Sequence, residues 1–327
     1  MSAQLGRSSQ AADEARNSDN DQIKIVALQS LFQANQDRAM TFVYEILQPT
    51  STSSAKVKEG AIKLLGRYHD PSGGERATRL LMEIALNESN QKLRKFAIYS
   101  LGRGEWSEQK FRFEGDDQIV PILQKLALSS VEREIASSAI DALNHIANHH
   151  EDPRIRAALM EIGINSPSRD VRQKAASRIG EMAEKEGVSI LPDLVKLFDA
   201  NDDRELKKHI ISVISKMENP EAQDHVIKIA GTAKHPELRK RAVYVIGQRG
   251  SEVGVVALGG VYAAEQSDDV KNQILHSLNE TKHRSGLVQL MEIARTDPNL
   301  KMRMKAVNYL GRNKDPDAQR FLEELLK

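Results

Sequence analysis

The ten residues Leu238 to Gly247, LRKRAVYVIG, constrain this chain more than any other stretch, because the same phrase keeps returning. It recurs as VKNQILHSLN at Val270 to Asn279 and as MRMKAVNYLG at Met302 to Gly311. Aligned on the fifth residue, the copies fall on Ala27, Ala61, Ala97, Ala139, Ala175, Ile210, Ala242, Ile274 and Ala306. The spacings are 34, 36, 42, 36, 35, 32, 32 and 32 residues. A compact chain of 327 residues would divide into about two domains. Nine copies at a period in the thirties predict a solenoid instead, in which each repeat packs only on its neighbours.

Within a copy, positions 1, 5, 6 and 9 are apolar, as in Val171, Ala175, Ala176 and Ile179. That is one stripe of a helix. A plainer amphipathic helix follows each signature, such as Ala77 to Leu86 or Ser285 to Arg295. With aromatics at 4% and Leu, Ala, Ile, Lys and Glu abundant, helix is favoured over strand throughout. Asp70-Pro71, Asp152-Pro153, Asn219-Pro220 and Asp315-Pro316 follow signature helices. A short side-chain acceptor before a proline is how the next helix starts. Gly66, Gly102, Gly180, Gly247 and Gly311 hold the tenth position, where stacked helices approach closely or a helix ends.

The phrase [V/L]-[R/K]-x-x-A-[V/I]-x-x-[L/I]-G, followed by a second helix, resembles HEAT-type repeats. It is most similar to the short bacterial variety known as phycobilisome-lyase-like. The likeness covers roughly residues 22 to 327 and is best at 93–103, 171–181, 238–248 and 302–312. It is weakest at 131–144, where Ala136 replaces the basic residue of the second position. The resemblance implies an all-α fold, a right-handed α-solenoid of about nine stacked two-helix repeats. On this reading residues 1–20, polar and aperiodic, are a disordered lead-in. Residues 21–327 are one HEAT-like solenoid with a loop inserted at 103–117. The repeat specifies an architecture rather than an activity.

Several function classes are excluded or disfavoured by the totals. Without cysteine there is no disulfide, thiolate metal site or cysteine nucleophile. No run of 18 apolar residues occurs, so no membrane span is expected. The first residues lack the apolar core of a signal peptide, which makes the cytoplasm the default and an exported, periplasmic mature chain the alternative. A net charge of +1 counts against a nucleic-acid partner.

Basic residues recur at the second signature position as Lys58, Arg94, Arg172, Lys207, Arg239, Lys271 and Arg303. They suit either a phosphate-tracking ladder or ion pairs and caps with Asp170, Asp203, Glu237, Asp269 and Asp297, and the second is better supported. Positions 3, 7 and 11 point away from the apolar stripe. In HEAT-like proteins the signature helices line the concave surface, so this strip is the expected contact face. It offers Lys95, Tyr99, Arg103, Lys208, Lys240, Tyr244, Gln248, His276 and Asn308 as residues for a partner protein or peptide. Across eight repeats the strip carries eight basic and four acidic residues, a mild tilt.

The 103–117 insertion holds Trp106, Phe111 and Phe113. It suits a protruding contact loop or a segment folded back to plug a gap between layers. His145 and His149, four apart and following Asp141, are weak metal candidates, since Asp141 to His149 spans about 12 Å of helix. No catalytic constellation and no cofactor motif emerges. The expected function is therefore a non-enzymatic scaffold that binds a protein or peptide on the concave face. The alternatives are a nucleic-acid-binding protein resembling the alkylpurine glycosylases, or an accessory subunit resembling the bilin lyases. The chain is expected as a monomer or as weak end-to-end assemblies, because apolar residues reach both terminal repeats.

Overall fold

The computed structural model describes residues 2–68, 74–103, 118–129, 131–149, 152–186, 190–281 and 283–327. Among them are eighteen α-helices and no strand. The signature phrases lie on α1 (Ser2–Ala34), α3 (Ala55–Leu65), α5 (Gln91–Arg103), α7 (Arg133–His149), α9 (Arg169–Glu186), α11 (Arg204–Ile214), α13 (Pro236–Arg249), α15 (Asp268–Glu280) and α17 (Leu300–Arg312). The plainer helices alternate with them as α2 (Gln36–Ile46), α4 (Gly74–Asn87), α6 (Ile119–Ser129), α8 (Pro153–Asn165), α10 (Leu191–Ala200), α12 (Pro220–Thr232), α14 (Glu252–Ala264), α16 (Arg284–Thr296) and α18 (Pro316–Glu324). The architecture is an α-solenoid, and the chain divides into two compact units, Met1–Ala175 and Ala176–Lys327.

In each unit the two kinds of helix form separate layers. In the first, α3, α5 and α7 stack side by side, with α4, α6 and α8 as the second layer. In the second, α11, α13, α15 and α17 form the signature layer, backed by α12, α14, α16 and α18. The core lies between the layers and is made by the stripe at positions 1, 5, 6 and 9. Leu238, Ala242, Val243 and Ile246 are all buried, as are Leu93, Ala97, Ile98 and Leu101.

The α4–α5, α6–α7, α12–α13 and α16–α17 hairpins pack closely with the plainer helix first, whereas α1–α2 and α15–α16 pack closely with the signature helix first. Periodicity fixes the length of a repeating unit but not where it starts.

Glycine at position 10 serves close approach. A Cβ on Gly66 would stand 2.7 Å from the Cβ of Ser100, and one on Gly102 would stand 2.7 Å from the Cα of Ala142. On Gly247 it would meet Ser277 Oγ at 2.5 Å. Each partner is position 8 of the next signature helix, so the helices touch nearly backbone to backbone there. Helix starts follow the expected chemistry. Asp152 accepts from Arg154 N at 2.9 Å, Asn219 from Ala222 N at 2.7 Å and Asp315 from Asp317 N at 2.8 Å. Asp70-Pro71 lies outside the described residues.

Residues 2–20, read from sequence as a disordered lead-in, belong to α1. Ala, Gln, Glu and Arg there are good helix formers, and polarity alone does not prevent a helix from continuing outward from a packed one. Its inner part is tied to α3: Ser54 Oγ donates to Asp21 at 2.5 Å and Lys56 Nζ to Ser18 Oγ at 3.4 Å. No helix among the described residues is long and apolar enough to cross a membrane.

Candidate functional site

The second-position basic residues turn inward. Arg94 Nε donates to the Ala85 carbonyl at 3.1 Å, near the end of α4, and its NH1 meets Glu132 at 2.6 Å. Arg172 NH1 reaches the Ser166 carbonyl at 2.7 Å. Arg239 bonds the Ala233 carbonyl at 2.8 Å and grips Glu265 with two bonds of 2.6 and 2.8 Å. Lys271 lies 3.8 Å from Asp297 Oδ2, which also accepts from the Tyr262 hydroxyl at 2.6 Å. The three arginines cap the carbonyl end of the preceding plain helix, and Arg94, Arg239 and Lys271 lie against acids of the next repeat, so these four do not form an outward phosphate ladder.

Of the buried acids, Glu265 is hidden from sequence reading, whereas Asp297 is among those it singles out. Glu265 and Asp297, like buried Ser166 and Asn201, occupy the residue that closes a plain helix. Of the upstream acids singled out by sequence, Asp203 caps α11, and Asp170 and Glu237 pair with Arg133 and Arg204 at 2.6 and 3.6 Å.

Position 4 also has a role that sequence reading missed, since it ties back to position 3 or 7 of the preceding repeat. Lys174 Nζ donates to Ser137 Oγ and Asp141, each at 2.6 Å. His209 meets Ser177 at 2.8 Å, Arg241 NH2 donates to Ser212 Oγ at 2.6 Å, and Lys305 donates to Asn272 at 2.8 Å. In α5 the position is Phe96, and the tie becomes Lys63 lying 4.6 Å over its ring.

That exchange of a polar residue for an aromatic one shapes the site. A groove of about 800 Å³ opens on the first unit, walled by α3, α5 and α7 and lined by Lys63, Lys92, Lys95, Phe96, Tyr99, Arg103, Glu134, Asp141 and His145, among others. Three residues expected at a contact face, Lys95, Tyr99 and Arg103, stand one turn apart along its α5 wall. Tyr99 is 51% exposed and the Arg103 guanidinium stacks over it at 4.7 Å. Lys63 and Lys92 each pair with Glu59 at 2.8 Å, and Lys95 pairs with Glu134 at 2.8 Å. Burial raises the Glu59 carboxyl, but hydrogen bonds from Lys63 and Lys92 outweigh it and hold the group below its ordinary range. The hydrogen bond from Lys95 likewise holds Glu134 below it.

The other six expected contact residues stand on the second unit. Lys208 pairs with Glu205 at 2.6 Å. Lys240, Gln248 and Asn308 are exposed. Tyr244 is exposed beneath Arg241, which lies 5.2 Å over its ring, and exposed His276 sits 6.5 Å from the Tyr309 ring. They form a row along the signature layer. Trp106, Phe111 and Phe113 lie outside the described residues, as does the side chain of His149. His145 is a groove residue, and no metal-binding group occurs among the described residues.

A family model described as HEAT repeats matches residues 156–247 and 191–279. The matched span, residues 156–279, is built of HEAT repeats. A search of curated proteins finds no match. Among solved structures, a mutant of Kap121p shares 13% identity, covering 87% of this chain and 34% of Kap121p, at a TM-score of 0.51. Kap121p bound to Ste12p shares 13% identity over 88% of this chain and 35% of Kap121p, also at 0.51. Human deoxyhypusine hydroxylase in complex with glycerol shares 17% identity over 86% of this chain and 98% of its own, at 0.36. The chain thus spans about a third of Kap121p, and the likeness is one of HEAT-repeat fold.

Proposed function

We propose that this chain is a non-enzymatic protein-interaction scaffold that holds a segment of a partner protein in the α3–α5–α7 groove. The observation that carries the reading is Tyr99. It is a half-exposed aromatic on a helix, under an arginine, inside a groove whose three lysines are paired with Glu59 and Glu134. An exposed aromatic with an arginine beside it is the composition of an interface anchor. Phe96 supports it from below, between Lys63 and Lys92. Lys63 and Lys92 neutralise Glu59, and Lys95 neutralises Glu134.

Kap121p, which shares the fold, binds Ste12p in one structure, a use of repeat stacking that supports the same reading here. The row containing Lys240, Tyr244 and His276 is a second contact surface for the same partner or another. The inward pairing of the second-position cations removes the main support for nucleic acid.

The test is selection of peptides from a random display library on the wild-type chain, followed by counter-screening on Tyr99→Ser. Peptides that bind the wild type and lose about thirtyfold or more on the variant, the effect of a hot-spot residue, support the groove. Peptides that bind both equally place the function elsewhere.

A further inference from the structure

The inter-repeat contact has two complementary halves, and the terminal repeats each display one of them uncovered. The forward half is position 10 with position 3 of a signature helix. The rear half is positions 1, 4, 5 and 8 of the next. At four internal junctions a glycine at position 10 meets position 8: Gly66 with Ser100, Gly102 with Ala142, Gly180 with Val213 and Gly247 with Ser277. In the last repeat the same glycine, Gly311, has nothing within 4 Å of where its Cβ would stand. Beside it Met304, at position 3, is 56% exposed.

The rear half is uncovered on α1. Position 1 is buried in all eight later repeats, from Val57 to Met302, yet Ile23 is 66% exposed. Position 5 is buried in the same eight, yet Ala27 is exposed, and so is Ser30 at position 8. Val26, at the position that elsewhere ties back to the preceding repeat, is 54% exposed. The plain layer repeats the asymmetry: Ile293 and Ala294 of α16 are buried, while Leu325 and Leu326, at the same places after α18, are exposed.

We infer that the last repeat of one copy stacks on the first repeat of a second copy, continuing the contact already made inside the chain. Ser30 then faces Gly311, the serine-on-glycine pair that Ser100 with Gly66 and Ser277 with Gly247 already make. Val26 faces Met304, so where the internal junctions place a polar tie, this one places two apolar side chains. The match is specific to head-to-tail stacking, because neither half is complementary to itself. Such a contact is heterologous, and each copy that joins leaves one free half at either end.

Two variants test this. Gly311→Leu fills open space, so it leaves the fold of the single chain intact while blocking the forward half. Val26→Arg places a charge on an already exposed position and blocks the rear half. Circular dichroism and thermal melting check that both are folded. Sedimentation velocity across a concentration series is expected to show wild-type mass rising beyond that of one chain, and each variant alone remaining a single chain. Mixed together, the two variants are expected to form a dimer and nothing larger, because one intact half remains on each. A wild type that stays monomeric at all concentrations overturns the inference. So does association that either variant leaves unchanged, or a mixture that stays monomeric.

Discussion

Replacing Glu265 by alanine tests whether the buried acids at the ends of plain helices hold adjacent HEAT repeats together. The Glu265 side chain is 3% exposed and accepts two hydrogen bonds from Arg239, itself 15% exposed. It also accepts from the backbone N–H groups of Gln266 and Ser267, both at 2.8 Å, which close the turn into α15. Breaking a buried pair by removing one partner costs about 3–5 kcal/mol, because a charge is left without compensation. Arg239 keeps the Ala233 carbonyl, so the lower end applies, about 3 kcal/mol. Glu265→Gln retains the shape and some of the hydrogen bonds, and is expected to cost about 1–2 kcal/mol.

The hydrogen bonds from Arg239 hold the Glu265 carboxyl below its ordinary value of 4.5. Its contribution is therefore complete above that value and is lost as pH falls through the lowered one. The assay is urea denaturation followed by circular dichroism at neutral pH and through the acid range, with amide hydrogen exchange to locate the weakened part. Because repeats couple to their neighbours, protection should fall first across α13, α14 and α15. An unchanged urea midpoint for Glu265→Ala, or lost protection spread evenly over both units, would mean that Glu265 does not hold these repeats together.

Other expectations follow from the same junctions. Gly102→Ala drives a methyl against the backbone of Ala142 and should lower stability by about 1–3 kcal/mol, read by thermal melting. Gly311→Ala meets no obstacle and should raise it by about 0.5–1 kcal/mol through helix propensity alone. Tyr262→Phe removes the 2.6 Å hydrogen bond to buried Asp297 and should cost about 1–2 kcal/mol in urea titration. Burial, with Lys228 nearby, holds His225 below its ordinary value of 6.5, so the folded chain resists its protonation. Stability should fall as pH drops from 6.5 toward that lowered value, and His225→Leu should flatten this slope.

The sequence carried the layer structure well, and for a clear reason. A stripe such as Leu238, Ala242, Val243 and Ile246 repeats in every copy, so periodicity alone marks the core. It also placed Lys95, Tyr99 and Arg103 together, because residues four apart share a helix face. It could not place Phe96, Glu134 and Lys63 around them, since that grouping depends on how far each helix is rotated against the next. Glu265 was hidden, and Asp297, legible as a pairing acid, gave no sign of being buried. Each reads as a charged turn residue, and only the packing of the following repeat buries it. An aperiodic polar stretch such as residues 2–20 does not by itself distinguish helix from disorder. The signal for position 4 was present in Lys174, Arg241 and Lys305, long polar side chains one residue before the buried alanine.

The central claim is that the α3–α5–α7 groove holds a partner segment, and the most direct measurement compares two pairs of substitutions against one selected peptide. Calorimetric titration would use the wild type, Lys95→Ala with Tyr99→Ala, and Lys240→Ala with Tyr244→Ala, all checked for folding by circular dichroism. The first pair is expected to weaken binding by about a hundredfold, some 2.7 kcal/mol, while the second changes it little. Undiminished binding to the first pair, with the loss falling on the second, would contradict it and move the contact to the second unit.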